Sequence, residues 1–268
     1  MSAHIALVVS LTFLIHLVGT LALGARIVGI RTGKWSVTYA LFNIMTLVSR
    51  LATTLQAPLL AKTVEMDIQS GRLGNYGDFQ WIMASATVAT LVSILLFPSF
   101  QRLLAQAVDR YYEYRSIPRL LYHSLSWRYL RRVPVHMKWP DRANFQHVQG
   151  SRAVSRSIIL LNVLSSAVLT VGVLATLYAG YLNPDLRSTS ASMAGFINGI
   201  STILAVMFID PDVALLTDEV TGGRVSEGYF RRYLVQVLAA RLAGTVLAQA
   251  LLVPFAYVVV WAAEQLRV

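Results

Sequence analysis

The chain has 268 residues, 56% of them hydrophobic and 13% charged, with a mean hydropathy of +0.57. A soluble domain carries about 25% charged residues, so this composition excludes an ordinary water-soluble fold. The net charge of +10 does not call for nucleic acid, because basic residues crowd the cytoplasmic loops of membrane proteins and no nucleic-acid-binding motif is present.

The apolar runs are long and do not alternate at period two, which argues against a β-barrel. Cysteine is absent, so there is no disulfide framework, thiolate metal site or cysteine nucleophile. The fold class expected is all-α. It is a single polytopic membrane helix bundle of six spans, at about 4–23, 35–60, 81–97, 157–182, 191–209 and 229–261, with an amphipathic interfacial helix region between the third and the fourth.

The first run, His4 to Leu23, carries Thr12, His16, Gly19 and Thr20 as a polar stripe. Ala22-Leu23-Gly24 resembles a leader cleavage site. The run lacks a basic flank before it and reaches about 20 residues, so it reads as a span. Arg26, Arg31 and Lys34 follow it. The second run holds a full charge, Arg50, on a face shared with Asn43, Thr46, Thr53 and Thr54, and stops near Pro58. A charge at mid-membrane costs about 2.5–3.5 kcal/mol on insertion scales. A chain that keeps one has either a structural partner for it, such as backbone carbonyls, or an aqueous path that it faces.

The third run ends at Phe97, before Pro98. The connection from Gln101 to Arg156 begins with Leu103, Leu104, Ala107, Val108 and Tyr111 on one face and Arg102, Gln106, Asp109, Arg110 and Glu113 on the other. That pattern suits a helix lying in the interface. Ser116 and Pro118 can start a second helix, and Trp127, Arg128, Tyr129, Arg131 and Arg132 suit the headgroups of anionic membrane lipids. The fourth run has Asn162, Ser165 and Ser166 near one face. The fifth has Gly195, Asn198, Gly199 and Thr202 and breaks at Asp210-Pro211-Asp212, where Asp210 can cap a short helix. The sixth places Arg241, Thr245 and Gln249 at steps of four.

Of the 23 Lys and Arg, 17 fall in connections on one side of the six spans and four on the other. The positive-inside rule then puts both termini outside the cell membrane. If the stripes converge, they form a cationic cavity with no carboxylate at mid-depth. Arg241 and Arg50 would lie about 12 Å and about 20 Å from the inner starts of their spans. Arginine binds phosphate, carboxylate or sulfate through paired hydrogen bonds. The candidate substrate-binding residues are Arg50, Arg241, His16, Asn43, Gln56, Gln249, Arg26, Arg31 and Asp210. No phosphate-binding loop, HExxH or GxSxG motif occurs, and no cofactor is implied. The acidic set Asp210, Asp212, Asp218 and Glu219 could bind a divalent ion or form a capped, solvated helix.

Four long strings carry a resemblance: Leu11 to Lys62, Phe97 to Asp109, Met193 to Val220 and Arg241 to Gln249. They resemble the Amj family, the alternate lipid II flippases of bacteria. The resemblance implies translocation of a polyprenyl-diphosphate-linked peptidoglycan precursor, lipid II, from the inner to the outer leaflet of the bacterial cytoplasmic membrane. It assigns no residue a role. So large a headgroup favours a possible homodimer with a shared groove. The competing readings are a membrane-embedded enzyme acting on lipid phosphates and a structural or regulatory membrane protein.

Overall fold

The computed structural model describes residues 3–72, 74–114, 116 and 155–266. Among them the chain is helical, and six segments are long and apolar enough to cross a membrane. The first span joins α1 (Ala3–Leu21) to α2 (Gly24–Thr32). Helices α3 (Trp35–Gln69), α4 (Tyr76–Tyr114) and α5 (Arg156–Leu182) follow. The fifth span is segmented: a short 3-10 turn (Pro184–Leu186), α6 (Arg187–Ser192), α7 (Ala194–Leu204), a π turn (Ala205–Ile209) and α8 (Asp210–Thr221). Helix α9 (Glu227–Gln265) is the sixth span.

Two prolines expected to end helices lie inside them. Pro58 sits within α3 and Pro98 within α4. In lipid the helix is the only backbone arrangement that satisfies itself, and neighbouring helices and hydroxyls absorb the missing bond. The interfacial helix expected from Gln101 is therefore an extension of α4 as far as Tyr114. Its apolar face is buried in protein: Leu104 and Val108 pack with Ala25 and Val28 of α2 and Leu41 of α3. The readings made for residues 117–154 lie outside the described residues.

Lipid tails are as apolar as leucine, so close packing and interhelical hydrogen bonds hold the spans together. Helices α5 and α9 form the most extensive pair. Gly244 makes it possible, since a Cβ there would lie 2.6 Å from the Val163 carbonyl oxygen and 2.6 Å from Cβ of Ser166. Helix α1 packs against α3 and α4, and α7 leans on α5.

The interior falls into two apolar layers. The basic end, where Arg26, Arg31 and Lys34 gather, is filled by Leu21, Ile27, Phe97, Val213, Phe230, Leu234 and their neighbours. The far end is filled by Ile5, Leu60, Val64, Phe79, Ile82, Leu252 and the rings of Tyr178 and Tyr181. There Tyr181 donates to the buried Asp67 carboxylate at 2.8 Å and ties α5 to α3. The layer between the two is polar.

Candidate functional site

A cavity of about 280 Å³ occupies that middle layer. Helix α1 contributes Thr12, His16 and Gly19, spaced four and three so that one face supplies all three. Helix α3 contributes Thr46, Ser49, Arg50, Thr53 and Gln56; α5 contributes Asn162, Ser165, Ser166 and Thr170. Ser201 and Thr202 of α7, and Tyr233 and Arg241 of α9, complete the polar lining. Arg26 and Asp210 line its basic end.

Most of the hydroxyls need nothing from a ligand. Thr46, Thr53, Thr170 and Thr202 each donate to a carbonyl three or four residues earlier, at 2.7–3.1 Å. Such back-bonding lets a hydroxyl sit in lipid without a partner on another helix. Ser165 and Ser201 instead hydrogen-bond each other's helices, with Ser201 Oγ donating to the Ser165 carbonyl at 2.9 Å. Gln56 Nε2 donates to Thr12 Oγ1 at 2.9 Å and closes the lining between α1 and α3.

The cationic groups differ. Among the described residues neither Arg50 nor Arg241 has a carboxylate within ion-pair reach. Nε of Arg241 and Nδ1 of His16 are buried without a hydrogen-bond partner. A structural arginine in a bundle would be bonded to carbonyls or helix ends. Arg241 is housed instead by a missing side chain, because a Cβ on Gly19 would lie 3.0 Å from its Nη2.

Arg50 occupies the rim of the cavity and is exposed. At about 100° per residue, the cavity face of α3 is centred on Ser49, Thr53, Thr46 and Gln56. Arg50 lies at the edge of that face. Asn43 and Thr54 are rotated past it; both are exposed, and neither lines the cavity. Val206 in the π turn and Leu169 of α5 also line the cavity while 54% and 41% exposed. The cavity therefore opens sideways, toward the lipid face, between α3 and the fifth span.

The structure brings together Arg50, Arg241, His16, Gln56, Arg26 and Asp210. It does not bring in Gln249 or Arg31. Eight residues beyond Arg241, Gln249 has turned about 80° away, and its Nε2 donates to Thr87 Oγ1 of α4 at 2.9 Å. Arg31 lies outside the cavity, with its Nε on Glu227 at 2.7 Å and Nη1 on Gln101 at 3.3 Å.

Asp210 is not the expected cap. It opens α8 with Pro211 behind it, makes no capping bond, and accepts from Arg26 Nη2 at 2.8 Å. Among the described residues no three His, Asp or Glu side chains gather as a metal site would require. Sequence reasoning missed Ser49 and Tyr233. Ser49 precedes the charge that dominates its helix. Tyr233, at two steps of four before Arg241, extends that stripe toward the basic end.

A family model named Amj and described as "Alternate to MurJ" matches residues 11–263. A protein of Bacillus subtilis (strain 168) named "Lipid II flippase Amj" is 32% identical over 252 residues, covering 92% of each chain. No solved structure matches. The match takes in every helix that lines the cavity, and on it the chain belongs to the Amj family.

Proposed function

We propose that this chain is a lipid II flippase of a bacterial cytoplasmic membrane, a transporter and not an enzyme. The observation that carries the reading is the pair of arginines that have no carboxylate partner among the described residues, in a cavity that opens sideways to lipid. A diphosphate is the anion such a site suits: two phosphoryl groups can take the forks of Arg50 and Arg241 in turn. His16, Gln56 and the serines offer hydrogen bonds to sugar hydroxyls. The polyprenyl tail stays in the bilayer, leaving through the opening between α3 and the fifth span.

The charge bias supports placing the basic end in the cytoplasm, with both termini outside. Anionic lipids of the inner leaflet would gather at that end. A cavity of about 280 Å³ is smaller than the 300–1,000 Å³ that ordinarily encloses a drug-sized ligand. It has room for the diphosphate and not for a whole sugar-peptide headgroup. The headgroup therefore needs an opening of the bundle or a groove shared with a second copy, and light scattering of the detergent-solubilised protein separates a monomer from a homodimer.

The test of function is growth. Cells depleted of their own lipid II flippase should be rescued by the wild-type chain and not by one carrying Arg50→Gln or Arg241→Gln at equal membrane abundance. Rescue by both variants would remove the cavity as the path.

A further inference from the structure

Among the described residues one ion pair lines the basic end of the cavity. Arg26 of α2 donates from Nη2 to Asp210 Oδ1 at 2.8 Å, and its guanidinium lies 5.1 Å from the centre of the Phe42 ring. The Arg26 side chain is 16% exposed and that of Asp210 46%. The carboxylate is thus the half of the pair open to replacement, and the cation is the half fixed in place. Tyr233, 3% exposed, lines the same cavity, and its buried hydroxyl has no hydrogen-bond partner among the described residues. Asp210 directly follows the π turn, none of whose five residues is buried. Single π turns inside helices occur frequently at functional sites, and α8 reaches the bundle mainly through Val213 and Leu216.

We infer that Arg26, Phe42 and Tyr233 form an anion-receiving site at the mouth, in which the Asp210 carboxylate is a resident counter-ion that an incoming phosphate or diphosphate displaces. A phosphoryl group presents the same kind of oxygen acceptor to the guanidinium and more of them, so the exchange keeps Arg26 satisfied. Tyr233 donates its unused hydroxyl to the newcomer. Asp210, once released, no longer ties α8 to α2, and the π turn lets the fifth span swing from the mouth. Binding and opening are then one event, because the ligand gains contacts only in the state in which the pair is broken. This rests on the cavity being the transport path, but the site itself is read without transport.

Inorganic pyrophosphate is the probe, with the purified full chain in detergent and a thermal-shift titration. Removing a competitor should tighten binding: Asp210→Asn should lower the midpoint concentration about fivefold, the scale of a partly exposed ion pair. Asp212→Asn, which removes the same charge two residues away, should change it by less than half as much. Arg26→Gln should weaken the response several-fold and erase the gain that Asp210→Asn gives, and Tyr233→Phe should also weaken it. If Asp210→Asn binds no tighter than Asp212→Asn, the carboxylate is a structural partner and the exchange is wrong.

The opening is read separately in nanodiscs, with Ser166→Cys as a reporter in a chain that has no other thiol. A charged thiol reagent should modify it about fivefold faster when Asp210→Asn is added. The double swap Arg26→Asp with Asp210→Arg should restore the slow rate. An unchanged rate in Asp210→Asn, or a swap that stays fast, overturns the latch. Failure of the transport reading shows differently, as growth rescue by Arg50→Gln and Arg241→Gln while these two responses persist.

Discussion

A methyl group on Gly19 would lie 3.0 Å from Nη2 of Arg241 and 3.4 Å from Oγ of Ser49. The space that a side chain would fill on α1 is the space in which the guanidinium of α9 rests. This relationship links a residue with no chemistry to a cavity-lining charge whose Nε is buried. Gly19→Ala asks only the flexible end of Arg241 to shift by a few tenths of an ångström, and should transport at a modestly reduced rate. Gly19→Val should push the guanidinium out and fail to support growth, as Arg241→Gln does, at normal abundance. If Gly19→Val supports growth as wild type does, the position of Arg241 does not matter to transport.

Gly244 works in the opposite way. The atoms that a Cβ would meet at 2.6 Å include the Val163 carbonyl oxygen, with the Ala167 amide nitrogen at 3.1 Å. Backbone cannot step aside as a side chain can, so Gly244→Ala must separate α5 from α9. Overpacking of this kind costs about 1–3 kcal/mol. It should appear as a lower melting temperature in detergent and less protein in the membrane. Activity per molecule that survives should be near normal, because Gly244 lines no part of the cavity. A variant with unchanged melting temperature would show that the helix pair is more yielding than its geometry implies.

Orientation can be read with single thiols. Thr221 ends α8 at the basic end, and Ser188 lies in α6 at the far end; both are exposed. An impermeant reagent applied to intact cells should modify Ser188→Cys and spare Thr221→Cys. Lysis should expose both. The reverse pattern would place the basic end outside and overturn the positive-inside assignment.

The six spans were legible because their lengths and apolar content answer to bilayer thickness alone. Where α3 and α4 stop was not legible. Pro58 and Pro98 are stop signals in water, but in lipid the neighbouring helices and hydroxyls make up for the missing bond. The stripes on α1 and α3 pointed to the cavity, yet centring the α3 face on Arg50 set it off by roughly 80°. That offset drew in Asn43 and passed over Ser49. A helix pattern gives a face only relative to its own axis, and the neighbours decide which edge is the centre. Arg26 and Asp210 are 184 residues apart, and no local spacing could pair them. Gln249 was misplaced because steps of four drift by about 40° each, so a stripe that begins on the cavity ends on α4.

The arginines themselves give the last test, and their different surroundings make it sharper than a simple loss of charge. Arg241 is enclosed, with Gly19 against its Nη2 and its Nε unpartnered; Arg50 stands at the rim and is exposed. Arg241→Gln should remove a desolvation cost of up to a few kcal/mol and so leave the protein as stable as wild type or more stable, while transport is lost. Arg50→Gln should be close to neutral in melting temperature, with transport also lost. Lysine keeps the charge but not the planar fork. Arg241→Lys should therefore transport poorly, because an ammonium cannot give a phosphoryl group the paired hydrogen bonds of the guanidinium. Arg50→Lys, at the rim, should retain more activity. The measurements are growth rescue in flippase-depleted cells, membrane abundance and melting temperature for all four variants. If the glutamine variants lose activity only in proportion to lost protein, the arginines hold the bundle and do not meet the substrate. If Arg241→Lys equals wild type, charge alone suffices and paired hydrogen bonding to a phosphoryl group is not what the cavity provides.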